Sequence, residues 1–140
     1  MDYGGSDSIF GPNNVVIVRP YDGQNCMNMW NFVPGHQDRL FNNTCAIWPN
    51  LGTGNARDAD MVLAQNDCGA CSTDRSSTPY FSNNRFYTTH GNASANCGGS
   101  WGTTLADLRA RFPDYEAGST WTTLPTPDEV IQWGRNVLHL

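Results

Sequence analysis

The chain has 140 residues, eight basic against thirteen acidic, a net charge of −5 at neutral pH and only 15% charged residues, where an average globular domain carries about 25%. Its polarity comes from 15 asparagines and 14 glycines, and every basic residue is arginine, which excludes P-loop phosphate binding and lysine Schiff-base chemistry. Dispersed arginines on an acidic chain also exclude nucleic acid as a partner, and no apolar run approaches the roughly 20 residues of a membrane-spanning helix.

The first segment, Met1 to Ser6, has neither the charged start nor the apolar stretch of a signal peptide. Either export information has been removed or the chain begins inside a longer protein. A repeat then starts. Ile9-Phe10 leads to Asn13-Asn14 and a strand-like run Val15–Val18, with Asn25-Cys26 later. Leu40-Phe41 leads to Asn42-Asn43 and Thr44–Ile47, with Asn66-Asp67-Cys68 later; Tyr80-Phe81 leads to Asn83-Asn84 and Arg85–Thr88, with Asn96-Cys97 later. The pairs are 29 and 41 residues apart. The second unit therefore carries an insertion, placed at the turn-rich stretch 49–55.

Short β runs recurring between Asn and Gly turns predict stacked rungs, each burying its apolar face on its neighbours. The expected fold is all-β: a right-handed parallel β-helix segment of three or more rungs with a short C-terminal helical tail. The rungs occupy 1–101, with repeats near 9–26, 40–68 and 80–97, and the tail or cap occupies 102–140. A β-sandwich also has short strands and frequent turns, but gives no reason for one motif to recur in the same internal order. Asn13, Asn14, Asn42, Asn43, Asn83 and Asn84 are the candidates for an asparagine ladder, since asparagine tolerates left-handed backbone and hydrogen-bonds its equivalents above and below.

In the tail, the stretch 104–111 has helical spacing with Thr104 as cap. Thr126-Pro127-Asp128-Glu129 is a second helix start: a Thr cap, proline at the first helical position and glutamate at the third. Val130, Ile131, Gly134, Val137 and Leu138 form the apolar face of this second helix.

The stretch Asn14 to Cys26 resembles a passage in large secreted right-handed β-helix proteins of single-celled algae. Glu116-Ala117-Gly118-Ser119-Thr120, with Leu124-Pro125 and Asp128-Glu129-Val130-Ile131, resembles the close of the same proteins. The similarity covers nearly the whole chain and implies secretion and a pectate-lyase-like superhelix with earlier rungs missing. Most such proteins have no assigned activity. The insertion around 55–60 and Cys68-Gly69-Ala70-Cys71 depart from the pattern.

Five cysteines in a polar, exported chain are read as disulfide candidates: Cys26, Cys45, Cys68, Cys71 and Cys97. The repeat alignment places Cys26, Cys68 and Cys97 in one column, about 4.8 Å apart by strand spacing. Only two of the three can pair, leaving the third for Cys45 or Cys71. Cys68-Gly69-Ala70-Cys71 also admits a redox or half-zinc reading, but the βαβ setting and the second ligand pair that these require are absent.

Asn92 and Asn42 head the N-glycosylation sequons Asn92-Ala93-Ser94 and Asn42-Asn43-Thr44. A ladder residue faces its neighbours whereas a glycan faces solvent, so Asn43 suits the ladder better than Asn42. Arg19 with Asp22, and Asp58 with Asp60, are the candidates for lyase-type base and metal chemistry; their plainer readings are a turn with a surface salt bridge and a solvated loop. His36 and His90 read as surface histidines. Most aromatics are expected in the core, with Trp48 and Trp101 as candidates for exposed, sugar-stacking rings. No catalytic, cofactor or metal set emerges. The expectation is a secreted, extracellular structural glycoprotein of a cell surface or filament, self-associating by end-to-end β-stacking. The alternatives are C-terminal rungs of a polysaccharide lyase or hydrolase, or a β-helix that binds polysaccharide.

Overall fold

A computed structural model describes residues 7–18, 26–29, 36, 38–47, 61–65, 80–88, 91, 94–97, 100–111, 113–114 and 116–140. The strands are β1 (Ile9–Phe10), β2 (Val15–Val18), β3 (Met27–Met29), β4 (Arg39–Phe41), β5 (Thr44–Ile47), β6 (Met61–Gln65), β7 (Tyr80–Ser82), β8 (Arg85–Thr88), β9 (Ser94–Cys97), β10 (Ser100–Thr104) and β11 (Thr120–Thr123). The helices are α1 (Leu105–Arg111) and α2 (Pro127–Leu138).

The apolar-aromatic pairs and the runs after each Asn-Asn form separate parallel sheets. The pairs give β1-β4-β7, in register Phe10 with Leu40 and Leu40 with Phe81. The runs give β2-β5-β8-β11, in register Val15–Thr44–Arg85–Thr120. A third sheet, β3-β6-β9-β10, is parallel except for its last pair, where β10 returns antiparallel on β9.

Between the first two sheets the chain turns on one residue with left-handed backbone. Asn13, Asn42 and Asn83 have φ of 69°, 54° and 53°, a region where asparagine is tolerated because its short side chain hydrogen-bonds locally. A fourth unit uses Gly118, at φ 73°, followed by Ser119 and β11. Ala117 bridges Ser82 in parallel, which aligns this stretch with the third unit. The tail assigned to 102–140 thus contributes a strand to the central stack. The first unit has one extra residue, Gly11, and at that position (φ 138°) a Cβ would lie 2.1 Å from the Phe41 carbonyl oxygen. Only glycine permits that approach of two backbones.

The right-handed parallel β-helix, and the all-β class with it, are corrected by these findings. Eight of the eleven described strands lie in two four-stranded sheets, β10 runs antiparallel, and two helices occupy much of the chain after Thr104. The described fold is a set of short, mainly parallel sheets with a C-terminal helix. The repeat specifies which strands pair. It does not specify how the chain passes between sheets, and the links at 19–25, 48–60 and 66–79 lie outside the described residues, as does the expected insertion at 49–55.

Leu40, Cys45, Ile47, Phe81, Phe86 and Leu105 are buried and form the core. In β8, Phe86 points inward while Tyr87 is half-buried on the opposite face, as strand alternation requires. Helix α2 lies against that second face, with the Trp133 and Tyr87 rings 4.9 Å apart. Its start carries the expected capping box: the Thr126 hydroxyl accepts from the Glu129 N–H and the Glu129 carboxylate accepts from the Thr126 N–H. The apolar face expected of α2 is not buried, however. Ile131, Val137 and Leu138 are more than half exposed, and it is Trp133, outside that expected face, that makes the contact. Helix α1 is capped by Thr104, whose hydroxyl accepts from the Asp107 N–H at 3.0 Å.

Candidate functional site

Immediately after each left-handed turn residue comes a side chain directed along the stack. Asn14 donates its amide to Asn43 Oδ1 at 3.0 Å. Asn43 donates its backbone N–H and its Nδ2 to Asn84 Oδ1 at 3.0 and 3.3 Å, and Nδ2 also reaches the Phe10 carbonyl at 2.9 Å. Asn84 repeats the pattern one unit on. Its N–H donates to Ser119 Oγ at 2.8 Å, and its Nδ2 donates to the Leu40 carbonyl at 3.0 Å and to Glu116 Oε2 at 3.1 Å. Ser119 Oγ in turn donates to Glu116 Oε2.

The side-chain-to-side-chain bonds run from Asn14 to Asn43, Asn84 and Glu116, so the series ends on a carboxyl group, while Asn43 and Asn84 each also donate back to a carbonyl of the preceding unit. Such chains polarise one another in a low-dielectric interior, and an anionic acceptor at the end strengthens the last bonds. Asn43, Asn84 and Glu116 are fully buried. Burial pushes the Glu116 carboxyl up to about 7, against the opposing effects of its bonds to Ser119 and Asn84 and of the Arg109 charge. Arg109, from α1, does not pair with the carboxylate. Its guanidinium donates to the backbone carbonyls of Glu116 and Ser119 and stacks 4.8 Å over Trp121. Glu116 Oε1 and Arg109 Nε are both buried without a partner, an acceptor and a donor of the kind that internal water satisfies.

The ladder candidates therefore divide. Asn14, Asn43 and Asn84 meet along the stack, while Asn13, Asn42 and Asn83 supply the turn and stay exposed. Ser119, Glu116 and Arg109 complete the series and were not among the sequence candidates. Their signal was present: Gly118-Ser119-Thr120 has the Asn-Asn-x spacing with a different left-handed residue and a different acceptor.

Among the cysteines, Cys26 and Cys45 form a disulfide with a Cα separation of 5.8 Å. The expected column of Cys26, Cys68 and Cys97 is corrected by the register: Cys97 stands opposite Gln65, and Gln65 opposite Met29, so Cys97 is not level with Cys26. Cys68 and Cys71 lie outside the described residues. The bridge spans 19 residues, for which loop closure in the unfolded chain contributes about 3 kcal/mol. Urea unfolding with and without a phosphine reductant is expected to differ by about that amount, and coincident curves would remove the bridge from the native protein.

Asn42 is exposed whereas Thr44 of the same sequon is buried in β5. Asn92, His90, Arg19, Asp22, Asp58, Asp60 and Trp48 lie outside the described residues, and the side chain of Trp101 is likewise not described. His36 Nδ1 lies 2.7 Å from Asp7 Oδ2 at the surface, while Asp38 accepts the Ser8 N–H at 2.7 Å. Among the described residues no group of three His, Cys, Asp or Glu side chains is arranged to hold a metal ion, and no helix is long and apolar enough to cross a membrane.

A groove of about 550 Å³ runs between the C-terminal half of α2 and the outer face of the β2-β5-β8 strands. Arg85, Tyr87, Trp133, Asn136, His139 and Asn13 contribute to its walls. No family model, curated protein or solved structure matches the chain, so the likeness to algal proteins rests on the quoted residues alone.

Proposed function

We propose that the chain is a non-catalytic, extracellular structural glycoprotein module of a cell-surface or filament-forming protein. The observation that carries this reading is the ladder. The second asparagine of each pair, Asn14, Asn43 and Asn84, is consumed in holding one unit on the next, with Asn43 and Asn84 fully buried. Groups so committed are unavailable for acid–base work, which needs convergence in an accessible groove. The Cys26–Cys45 bridge supports an oxidising compartment, and the exposed Asn42 supports a glycan on the turn.

Self-association by β-stacking is the further part of the reading. Among the described strands, β1, β2 and β3 each stand at the edge of a sheet, with Ile9 of β1 67% and Ile17 of β2 38% exposed. Edges of this kind template pairing with another chain. Sedimentation velocity and negative-stain imaging of the purified chain are expected to show concentration-dependent assemblies that Ile17→Lys reduces to monomers. Monomers alone at the highest attainable concentration would overturn this part of the reading.

A further inference from the structure

The groove beside α2 differs in charge from the rest of the molecule. The chain carries −5 overall, yet among the described residues the groove is lined by Arg85 and His139 and by no carboxylate. Arg85 is exposed at the centre of the sheet, and among the described residues its guanidinium makes no ion pair. A cation without an ion-pair partner among the described residues of an acidic protein concentrates field at that point, and its planar fork suits a two-oxygen acid group.

Other walls of the groove are of a different kind. Tyr87 and Trp133 are half-buried with their rings 4.9 Å apart and tilted by 45°, giving apolar faces with polar rims. Asn13 and Asn136 add exposed amides; the Asn136 oxygen accepts from Gln132 Nε2 at 2.9 Å, which leaves its NH2 to donate into the groove. The volume of about 550 Å³ is in the range of small-molecule sites. One cation, flat apolar faces and surrounding amides match a ring that carries one acid group and several hydroxyls.

We propose that this groove is a binding site for an anionic saccharide, with Arg85 engaging its acid group, Trp133 and Tyr87 the apolar face of its ring, and Asn13 and Asn136 its hydroxyls. The acid is a carboxylate or a sulfate ester; both present the same oxyanion to arginine.

Calorimetric titration of the intact chain with methyl glucuronide, glucose 6-sulfate, methyl glucoside and benzoate tests the assignment. At least one of the two acidic sugars is expected to bind at least tenfold more tightly than the neutral glucoside, and their ratio identifies the acid. Arg85→Gln should remove that advantage while leaving the unfolding midpoint unchanged, because the residue is exposed. Trp133→Ala should weaken acidic and neutral sugars alike. Equal binding of acidic and neutral sugars, no binding of any of them, or an unchanged Arg85→Gln affinity would overturn the site. Benzoate binding as tightly as the glucuronide would overturn the saccharide assignment. Sedimentation velocity on the same samples gives the assembly state of the protein titrated, so binding is scored separately from filament formation.

Discussion

Asn84→Ala is expected to lower the unfolding free energy by about 4 kcal/mol. The Asn84 side chain accepts from the Asn43 N–H and amide and donates to the Leu40 carbonyl and to Glu116. Truncation strands a backbone donor and a backbone acceptor in the core and takes one donor from a buried carboxyl. An unsatisfied buried group costs about 1–3 kcal/mol, and Asn84 has no surface exposed to bulk solvent. Asn84→Asp should be at least as damaging, because it removes the donor and sets a second carboxylate against Glu116. The control is Asn83→Ala, one residue away and exposed, where the loss is the left-handed preference alone, about 1 kcal/mol. Urea unfolding of the three variants reads these differences. Equal midpoints for Asn84→Ala and Asn83→Ala would show that the ladder contributes little.

The second large effect is on pH dependence. The Glu116 carboxyl rises from an ordinary 4.5 to about 7 because of burial. Below pH 4.5 both folded and unfolded chains hold the proton, and this group imposes no slope. Between 4.5 and 7 the folded chain holds a proton that the unfolded chain has released, so stability falls as pH rises. Above 7 both have released it. Integrated over the window, the loss is about 3 kcal/mol. Glu116→Gln keeps the shape and cannot ionise, so its stability should be flat across this window and should exceed that of the parent at pH 8. Glu129, whose carboxyl is held below its usual range by the Thr126 backbone N–H and hydroxyl, acts in the opposite sense in more acidic solution and is common to both proteins. Unfolding midpoints at pH 5 and pH 8 measure the difference. A parent protein that loses no more stability than the variant would place the carboxyl in a wetter setting than the structure gives it.

Some of this was legible because the information is local. Val15–Val18, Thr44–Ile47 and Arg85–Thr88 have the bounds of β2, β5 and β8, since β-branched and aromatic runs between Asn turns leave few alternatives. Thr126-Pro127-Asp128-Glu129 specifies a helix start within four residues. The assignment of Asn43 rather than Asn42 to the ladder also followed from chemistry alone, as an amide cannot face both its equivalents and a glycan.

What failed depended on distant partners. The fourth unit escaped because Gly118-Ser119 shares no residue type with Asn-Asn. What it shares is a backbone region and the position of an acceptor, which become visible only when Ala117 meets Ser82. The cysteine column failed for a similar reason: a sequence alignment carries no register, and the third sheet sets Cys97 opposite Gln65. By itself the sequence determined the repeating strand–turn–strand unit, its left-handed asparagines and its capped final helix, each fixed by the preferences of neighbouring residues. Only the tertiary structure decided that the ladder ends on a buried glutamate, that Cys26 joins Cys45, and that α2 leaves a groove beside Arg85. Each of these depends on which residues, tens of positions apart, are brought within a few ångströms, and no local preference encodes that distance.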